Sequence, residues 1–174
     1  LMKETTYEDD SLVQEPGTLE VSHVSFVYPG GEKIYEDFNL SATPGQIIGV
    51  TGAVACGKST LGKTFLCEYP YEGRIRFHGK ELSEMTKAER TGMIGYLGHD
   101  PELFNDSVRN NILLGDDDDP ERYLKAVCFD GEVAEMEEGM DTIVGNGGVR
   151  LSGGQAQRLA LARTLCHKRP ILIL

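Results

Sequence analysis

The stretch Gly52-Ala53-Val54-Ala55-Cys56-Gly57-Lys58-Ser59-Thr60 decides how this chain is read. It fits G-x-x-x-x-G-K-[ST], the pattern of a phosphate-binding loop. Before it runs Gln46-Ile47-Ile48-Gly49-Val50-Thr51, a short apolar run that predicts a buried strand. After it, Leu61, Thr64, Phe65 and Leu66 recur at helical spacing. A strand, a Gly-rich turn and a helix in that order point several backbone N–H groups inward at a helix N-terminus, where anions are favoured. Small residues let the main chain wrap phosphates, Lys58 can reach the β- and γ-phosphates, and the Ser59 hydroxyl can ligate Mg²⁺. The loop reads as a nucleotide site.

The rest of the composition is that of a globular chain: 174 residues, 40% apolar and 26% charged, enough for one domain with at most a small appended lobe. A net charge of -11 argues against nucleic acid as a partner, because phosphate backbones demand basic surfaces. Much of the charge is local, in the run Asp116 to Asp119 with Glu121, then Glu132, Glu135, Glu137 and Glu138. These read as a solvated loop and a solvated helix face. The four cysteines, Cys56, Cys67, Cys128 and Cys166, show neither C-x-x-C pairing nor zinc spacing and are expected as free thiols. No apolar run is long enough to cross a bilayer, and no signal peptide is evident.

Working outward from the loop, residues 1–17 are polar and acidic and read as a linker or tail. Leu19, Val21 and His23, then Val24, Phe26 and Tyr28, predict a strand stopped by Pro29-Gly30-Gly31, with a second strand around residues 35–43 turned by Pro44-Gly45. With the strand expected at residues 46–51, they suggest a mixed sheet. Beyond the loop helix, residues 74–77 predict a strand, His78-Gly79 a tight turn, Thr86 a helix cap with Glu89 three residues on, and residues 93–97 a strand. Val108, Ile112 and Leu113 sit at helical spacing. Pro120 opens a helix through Val127, and Asp130 is read as the cap of another running to about Met136. Residues 139–150 read as a Gly-rich loop, residues 155–167 as a helix burying Leu159, Ala162 and Leu165, and residues 171–174 as a buried strand.

A second motif, Leu151-Ser152-Gly153-Gly154-Gln155, heads that long helix. Alone it is an ordinary helix cap, but downstream of a phosphate loop it resembles the nucleotide-binding domain of the ATP-binding cassette (ABC) family, across residues 19–174. The resemblance implies an α/β P-loop NTPase domain of ABC type with a mixed-sheet core, an antiparallel β-subdomain and an α-helical subdomain. The ATP-binding domain would occupy residues 18–174, with the helical subdomain over about 100–168. It further implies ATP and Mg²⁺ as cofactors. Tyr28 looks like the aromatic residue that stacks on adenine, although it also reads as a strand-end core aromatic. Gly52, Ala53, Val54, Ala55, Cys56, Gly57, Lys58, Ser59 and Thr60 would hold the phosphates, with Ser59 on the metal. Ser152, Gly153, Gly154 and Gln155 look like the signature that contacts the γ-phosphate held by an opposite, head-to-tail domain, identical or different. The run from Asp100 to Ile112 resembles exporter-type members. The partners implied are a second such domain and transmembrane domains, and the location implied is the cytoplasmic face of the cell membrane. Lys58, Ser152 and His99 are the expected catalytic residues.

Four positions depart from the family pattern. His99 stands where a Mg²⁺-ligating Gln is usual, and imidazole nitrogen is a poor ligand for so hard an ion. His99 is kept as a metal residue acting through a water or in coupling, and it also reads as an exposed loop histidine. Ala55 replaces a usual Gly and is restricted wherever positive φ is needed. Ile143 and Asn146 replace acidic residues. The acidic residues expected after residues 171–174 are not in the sequence, so the chain is expected to be a fragment without turnover of its own. The leading reading is an ATP-hydrolysing transporter domain. Its rivals are a non-hydrolytic regulatory domain of an asymmetric ABC pair, an ABC-type ATPase acting on DNA or ribosomes, and a generic P-loop kinase or GTPase.

Overall fold

The computed structural model describes residues 17–174, so the expected linker over residues 1–17 lies almost wholly outside the described residues. The described residues form two compact units, one ending at Met93 and the other running from Ile94 to Leu174.

In the first unit, β1 (Leu19–Val27) pairs antiparallel with both β2 (Lys33–Ala42) and β3 (Glu72–Phe77). Beside β3 lies the short β4 (Lys80–Glu81), giving the order β2-β1-β3-β4. The alternation of β1 changes phase at His23, which takes φ +53° while the ladder register shifts between Val21 and Val24. This bulge inserts one residue, so Leu19 and Val21 before it and Val24 and Phe26 after it are all buried. His23 itself is exposed, its ring nitrogen 2.6 Å from Asp37. His78 and Gly79 both have positive φ, +52° and +76°, the left-handed pair of a two-residue hairpin between β3 and β4. Helix α1 (Lys58–Phe65) buries Leu61, Thr64 and Phe65. Helix α2 (Lys87–Met93) starts with the expected capping box: Glu89 N–H donates to Thr86 Oγ1 at 3.2 Å and Thr86 N–H to the Glu89 carboxylate at 2.7 Å.

The second unit holds β5 (Ile94–Tyr96) and β8 (Ile171–Ile173) as a parallel pair, together with a helical core. Four helices, α3 (Val108–Leu113), α4 (Pro120–Ala126), α5 (Asp130–Ala134) and α6 (Gly153–Cys166), bury one cluster. Ile112, Leu124, Phe129, Val133 and Leu159 are at its centre. Thus an antiparallel β part, a helical part and parallel core strands are all present, as the fold class anticipates.

Several local expectations are corrected. No strand forms at residues 46–51: among the described residues no ladder partner pairs this stretch, and Ile47 is 99% exposed. An apolar run becomes a strand only where a neighbour takes its backbone hydrogen bonds. Among the described residues β8 pairs with β5 alone, so it is half-exposed instead of buried, with Leu172 at 43%. Asp130 is the first residue of α5 and not its cap; Phe129 holds that position and makes no side-chain cap bond. The stretch read as a loop over residues 139–150 contains a 3₁₀ turn, Gly139–Asp141, and β7 (Ile143–Val144), which pairs with β6 (Asp106–Ser107). The acidic run is more than a solvated loop. Asp119 caps α4 through Glu121 N–H at 3.0 Å, Asp118 accepts from the Tyr123 hydroxyl at 2.7 Å, and Asp116 lies 2.9 Å from His167.

Candidate functional site

The first half of the site is the loop into α1. Gly57 sits at the helix N-cap with φ +95° and makes no side-chain cap bond, so the N–H groups of Lys58, Ser59 and Thr60 have no intrahelical partner. A Cβ on Gly57 would stand 2.3 Å from Ile34 Cγ2, and one on Gly52 2.6 Å from Cys56 Sγ. At Gly57 the dihedral itself favours glycine, whereas at Gly52 the exposed Cys56 side chain would have to turn aside. Ala55 adopts φ +64°, the left-handed conformation that its Cβ disfavours. The Lys58 ammonium folds back onto its own loop, donating to Gly52 O at 2.9 Å and Ala53 O at 2.7 Å. Ser59 is exposed, and its hydroxyl has no hydrogen-bond partner among the described residues.

The loop helix is tied to the sheet by hydroxyls. Tyr28 Oη lies 3.1 Å from Thr60 Oγ1, and Tyr35 Oη lies 2.5 Å from Thr64 Oγ1. Burial raises the Tyr35 phenol above its ordinary pKa, with the Thr64 bond working against that shift. The Tyr28 ring is half-buried and packs edge-on against Phe26 and Tyr69, with centroids at 4.8 and 5.4 Å. Tyr28 is thus built into an aromatic cluster, as its reading as a strand-end core aromatic expects, and its hydroxyl reaches the loop helix.

The second half is the start of α6. Ser152 caps the helix with a full box: Gln155 N–H donates to Ser152 Oγ at 3.2 Å, and Ser152 N–H donates to Gln155 Oε1 at 2.8 Å. The remaining amide nitrogen of Gln155 donates to Glu132 Oε2 at 2.7 Å. Glu132 Oε1 is 2.5 Å from Arg158 Nη2, whose other Nη donates to Cys128 O at 2.7 Å and whose guanidinium lies 5.0 Å from the Phe129 ring centroid. These bonds, that from Gln155 first and then that from Arg158, hold the Glu132 carboxyl below its usual pKa. A Cβ on Gly153 or Gly154 would meet nothing within 4 Å. Packing within the chain does not ask for these two glycines, and they leave the backbone open to an incoming group.

His99 is exposed and has no hydrogen-bond or ion-pair partner among the described residues. The carbonyl just before it, Gly98 O, accepts from Gln157 on α6 at 3.2 Å. The structure thus brings Tyr28 to Thr60 at the end of the loop in the first unit, and in the second ties the residue before His99 to Gln157 on α6, without bringing His99 itself to Ser152 through Gln155 by any contact among the described residues. No cluster of three or more His, Cys, Asp or Glu suited to a metal is found among the described residues. Glu132 and Arg158 were missed in the sequence. Arg158 follows Gln155 by three residues and so shares its helix face, a spacing that could have flagged it, whereas Glu132 is brought in by tertiary packing.

The donor set fits a phosphate-bearing ligand with a hard metal ion: uncapped N–H groups, one ammonium and a free hydroxyl. The family model described as ABC transporter matches residues 35–174. The chain belongs to the ABC transporter family.

Among its relatives, a probable multidrug resistance ABC transporter ATP-binding/permease protein of Bacillus subtilis, YheI, is 36% identical over 168 residues, covering 93% of this chain and 29% of that protein. An ATP-dependent lipid A-core flippase of Pseudomonas aeruginosa is 38% identical over 183 residues, with 99% of this chain and 30% of the flippase covered. A solved bacterial Atm1-family ABC exporter with ATP bound superimposes with a TM-score of 0.83 at 30% identity, over 92% of this chain and 29% of that one. The ABC domain described here thus spans under a third of the length of the relatives it matches. No described helix is long and apolar enough to cross a membrane.

Proposed function

We propose that this ABC domain binds Mg-ATP in the loop from Gly52 to Thr60 and, paired head to tail with a second such domain, couples ATP binding and hydrolysis to moving a substrate across a membrane. The carrying observation is the uncapped start of α1, where the N–H groups of Lys58 to Thr60 converge beside the Lys58 ammonium. Lys58 would exchange its bonds to Gly52 O and Ala53 O for phosphate oxygens, a charge-assisted set that is stronger than its present pair. The Ser59 hydroxyl would take one position on Mg²⁺, an ion that neutralises charge on the transferring phosphoryl group. Tyr28 would lie against adenine, its ring already braced by Phe26 and Tyr69.

Ser152, Gly153 and Gly154 would face the γ-phosphate held by the partner domain, with the open space at both glycines admitting close main-chain approach. His99 offers nitrogen, which suits water-mediated contact with Mg²⁺ better than direct ligation. The names of the relatives favour transport over the regulatory reading, and they support a membrane partner with the domain on the cytoplasmic face. The test is a titration of the folded protein with Mg-ATP beside Lys58→Ala. Saturable binding weakened at least about 100-fold by the substitution is expected, from the loss of charged hydrogen bonds worth about 1.5–3 kcal/mol each. Equal binding by both proteins would refute the assignment.

A further inference from the structure

The capping box at α6 has a geometric weakness that Glu132 corrects. A Gln side chain can present either its oxygen or its nitrogen to the Ser152 N–H, and only the oxygen completes the box. What distinguishes the two orientations is the partner of the other amide atom. Glu132 Oε2 lies 2.7 Å from Gln155 Nε2, and a carboxylate only accepts, so nitrogen must face Glu132 and Oε1 must face Ser152 N–H at 2.8 Å. Glu132 is itself anchored through its second oxygen to Arg158, one turn along the same helix, and Arg158 is fastened to Cys128 O and to the face of Phe129. The Ser152 hydroxyl, as acceptor from Gln155 N–H, keeps its own proton for a group arriving from outside.

We infer that Glu132 is a positioning residue for the Ser152-Gly153-Gly154 turn: through Gln155 it sets the direction in which the Ser152 hydroxyl and the first N–H groups of α6 are offered to phosphate. It touches no reacting atom. This inference rests on the reading of that turn as the surface facing a nucleotide on a second domain. A carboxylate at this place carries a cost, since its charge sits near the expected anion, and the bonds from Gln155 and Arg158 offset that charge locally. Packing alone does not account for the side chain, because Glu132 is 42% exposed and lies outside the buried cluster.

The experiment measures Mg-ATP turnover and its half-saturating concentration in the intact protein, with the melting temperature, for wild type, Lys58→Ala, Glu132→Ala and Glu132→Gln. Glu132→Ala is expected to lower the maximal rate about tenfold, the size of one hydrogen bond to a charged group. The half-saturating Mg-ATP should stay within a factor of two, because the Lys58 loop is untouched. Glu132→Gln, whose amide oxygen still accepts from Gln155, is expected to recover most of the rate. A rate unchanged in Glu132→Ala, or no better in Glu132→Gln, overturns the inference while leaving the functional reading intact. Mg-ATP binding that Lys58→Ala leaves unchanged overturns the functional reading, and the inference falls with it. Should the alanine variant lose its fold, Glu132→Asp keeps the charge but shortens the reach. An expected loss of about threefold is half the free energy of the alanine change, and an unchanged rate in the folded variant overturns the inference.

Discussion

Two helices of this domain begin at the turns proposed to face phosphate, and they are built in opposite ways. α1 starts after Gly57, in the left-handed region and without any side-chain cap, and its first turn carries no acidic residue. α6 starts after Ser152 with both halves of a capping box closed and a carboxylate behind it. The first leaves its N–H groups for a ligand and holds its shape by glycine dihedrals and by the folded-back Lys58. The second closes its cap through the N–H groups of Ser152 and Gln155 and leaves a hydroxyl proton and the N–H groups of Gly153 and Gly154, with open space around both glycines. In the proposed reading, the first would be completed by its nucleotide, while the second has its cap closed beforehand and would select the geometry of what approaches it.

The widest separation between the two should appear on adding a methyl group. Gly57→Ala forces Cβ into Ile34 in a left-handed residue, and should cost about 2–4 kcal/mol, summing left-handed strain and overpacking. At Gly153 the same change meets nothing and should cost far less. Chemical unfolding of both variants measures the difference, and similar losses would break the contrast.

A smaller effect is expected at Ser152. Ser152→Ala removes the cap and should destabilise the second unit by about 1 kcal/mol in chemical unfolding without nucleotide. Of similar size and opposite sign is Ala55→Gly. It relieves the strain at φ +64° against added unfolded-state entropy, for a net gain of about 0.5–1 kcal/mol in thermal unfolding.

The smallest effect is with acid. Glu132 has a folded pKa below its ordinary value of 4.5. The unfolded chain therefore takes up the proton first as pH falls, and the contribution of Glu132 to stability is full above 4.5 and lost as pH drops through the folded value. Wild type should lose stability below pH 4.5 more steeply than Glu132→Gln. No such acid response is expected from the start of α1, which has no carboxylate in its first turn.

What could be read in the sequence follows the range of the interactions. The loop, the His78-Gly79 hairpin turn, the Thr86–Glu89 box and the Ser152 cap are local, made by residues within three or four positions, and all four appear where expected. The turn of phase in β1 was visible as apolar residues moving from 19 and 21 to 24 and 26, and the bulge at His23 explains it. Residues 46–51 failed because apolar content predicts burial only when a partner strand is at hand, and Ile47 has none. Glu132 reads in the sequence as part of a solvated acidic face because its partners, Gln155 and Arg158, lie more than twenty positions away. The pairing of β6 with β7 was hidden for the same reason, spanning a separation that no local pattern signals.

The account turns on the claim that α1 begins without a cap and α6 with its capping box closed, and amide hydrogen exchange with and without Mg-ATP tests it most directly. Without nucleotide, the N–H groups of Lys58, Ser59 and Thr60 should exchange freely, while that of Gln155, bonded to Ser152 Oγ, should already be protected. Mg-ATP should slow exchange at Lys58 to Thr60 by about 100-fold or more, as binding free energy of a few kcal/mol requires, and this gain should vanish in Lys58→Ala. Exchange at Lys58 to Thr60 that is slow from the outset, or indifferent to Mg-ATP, would contradict the account.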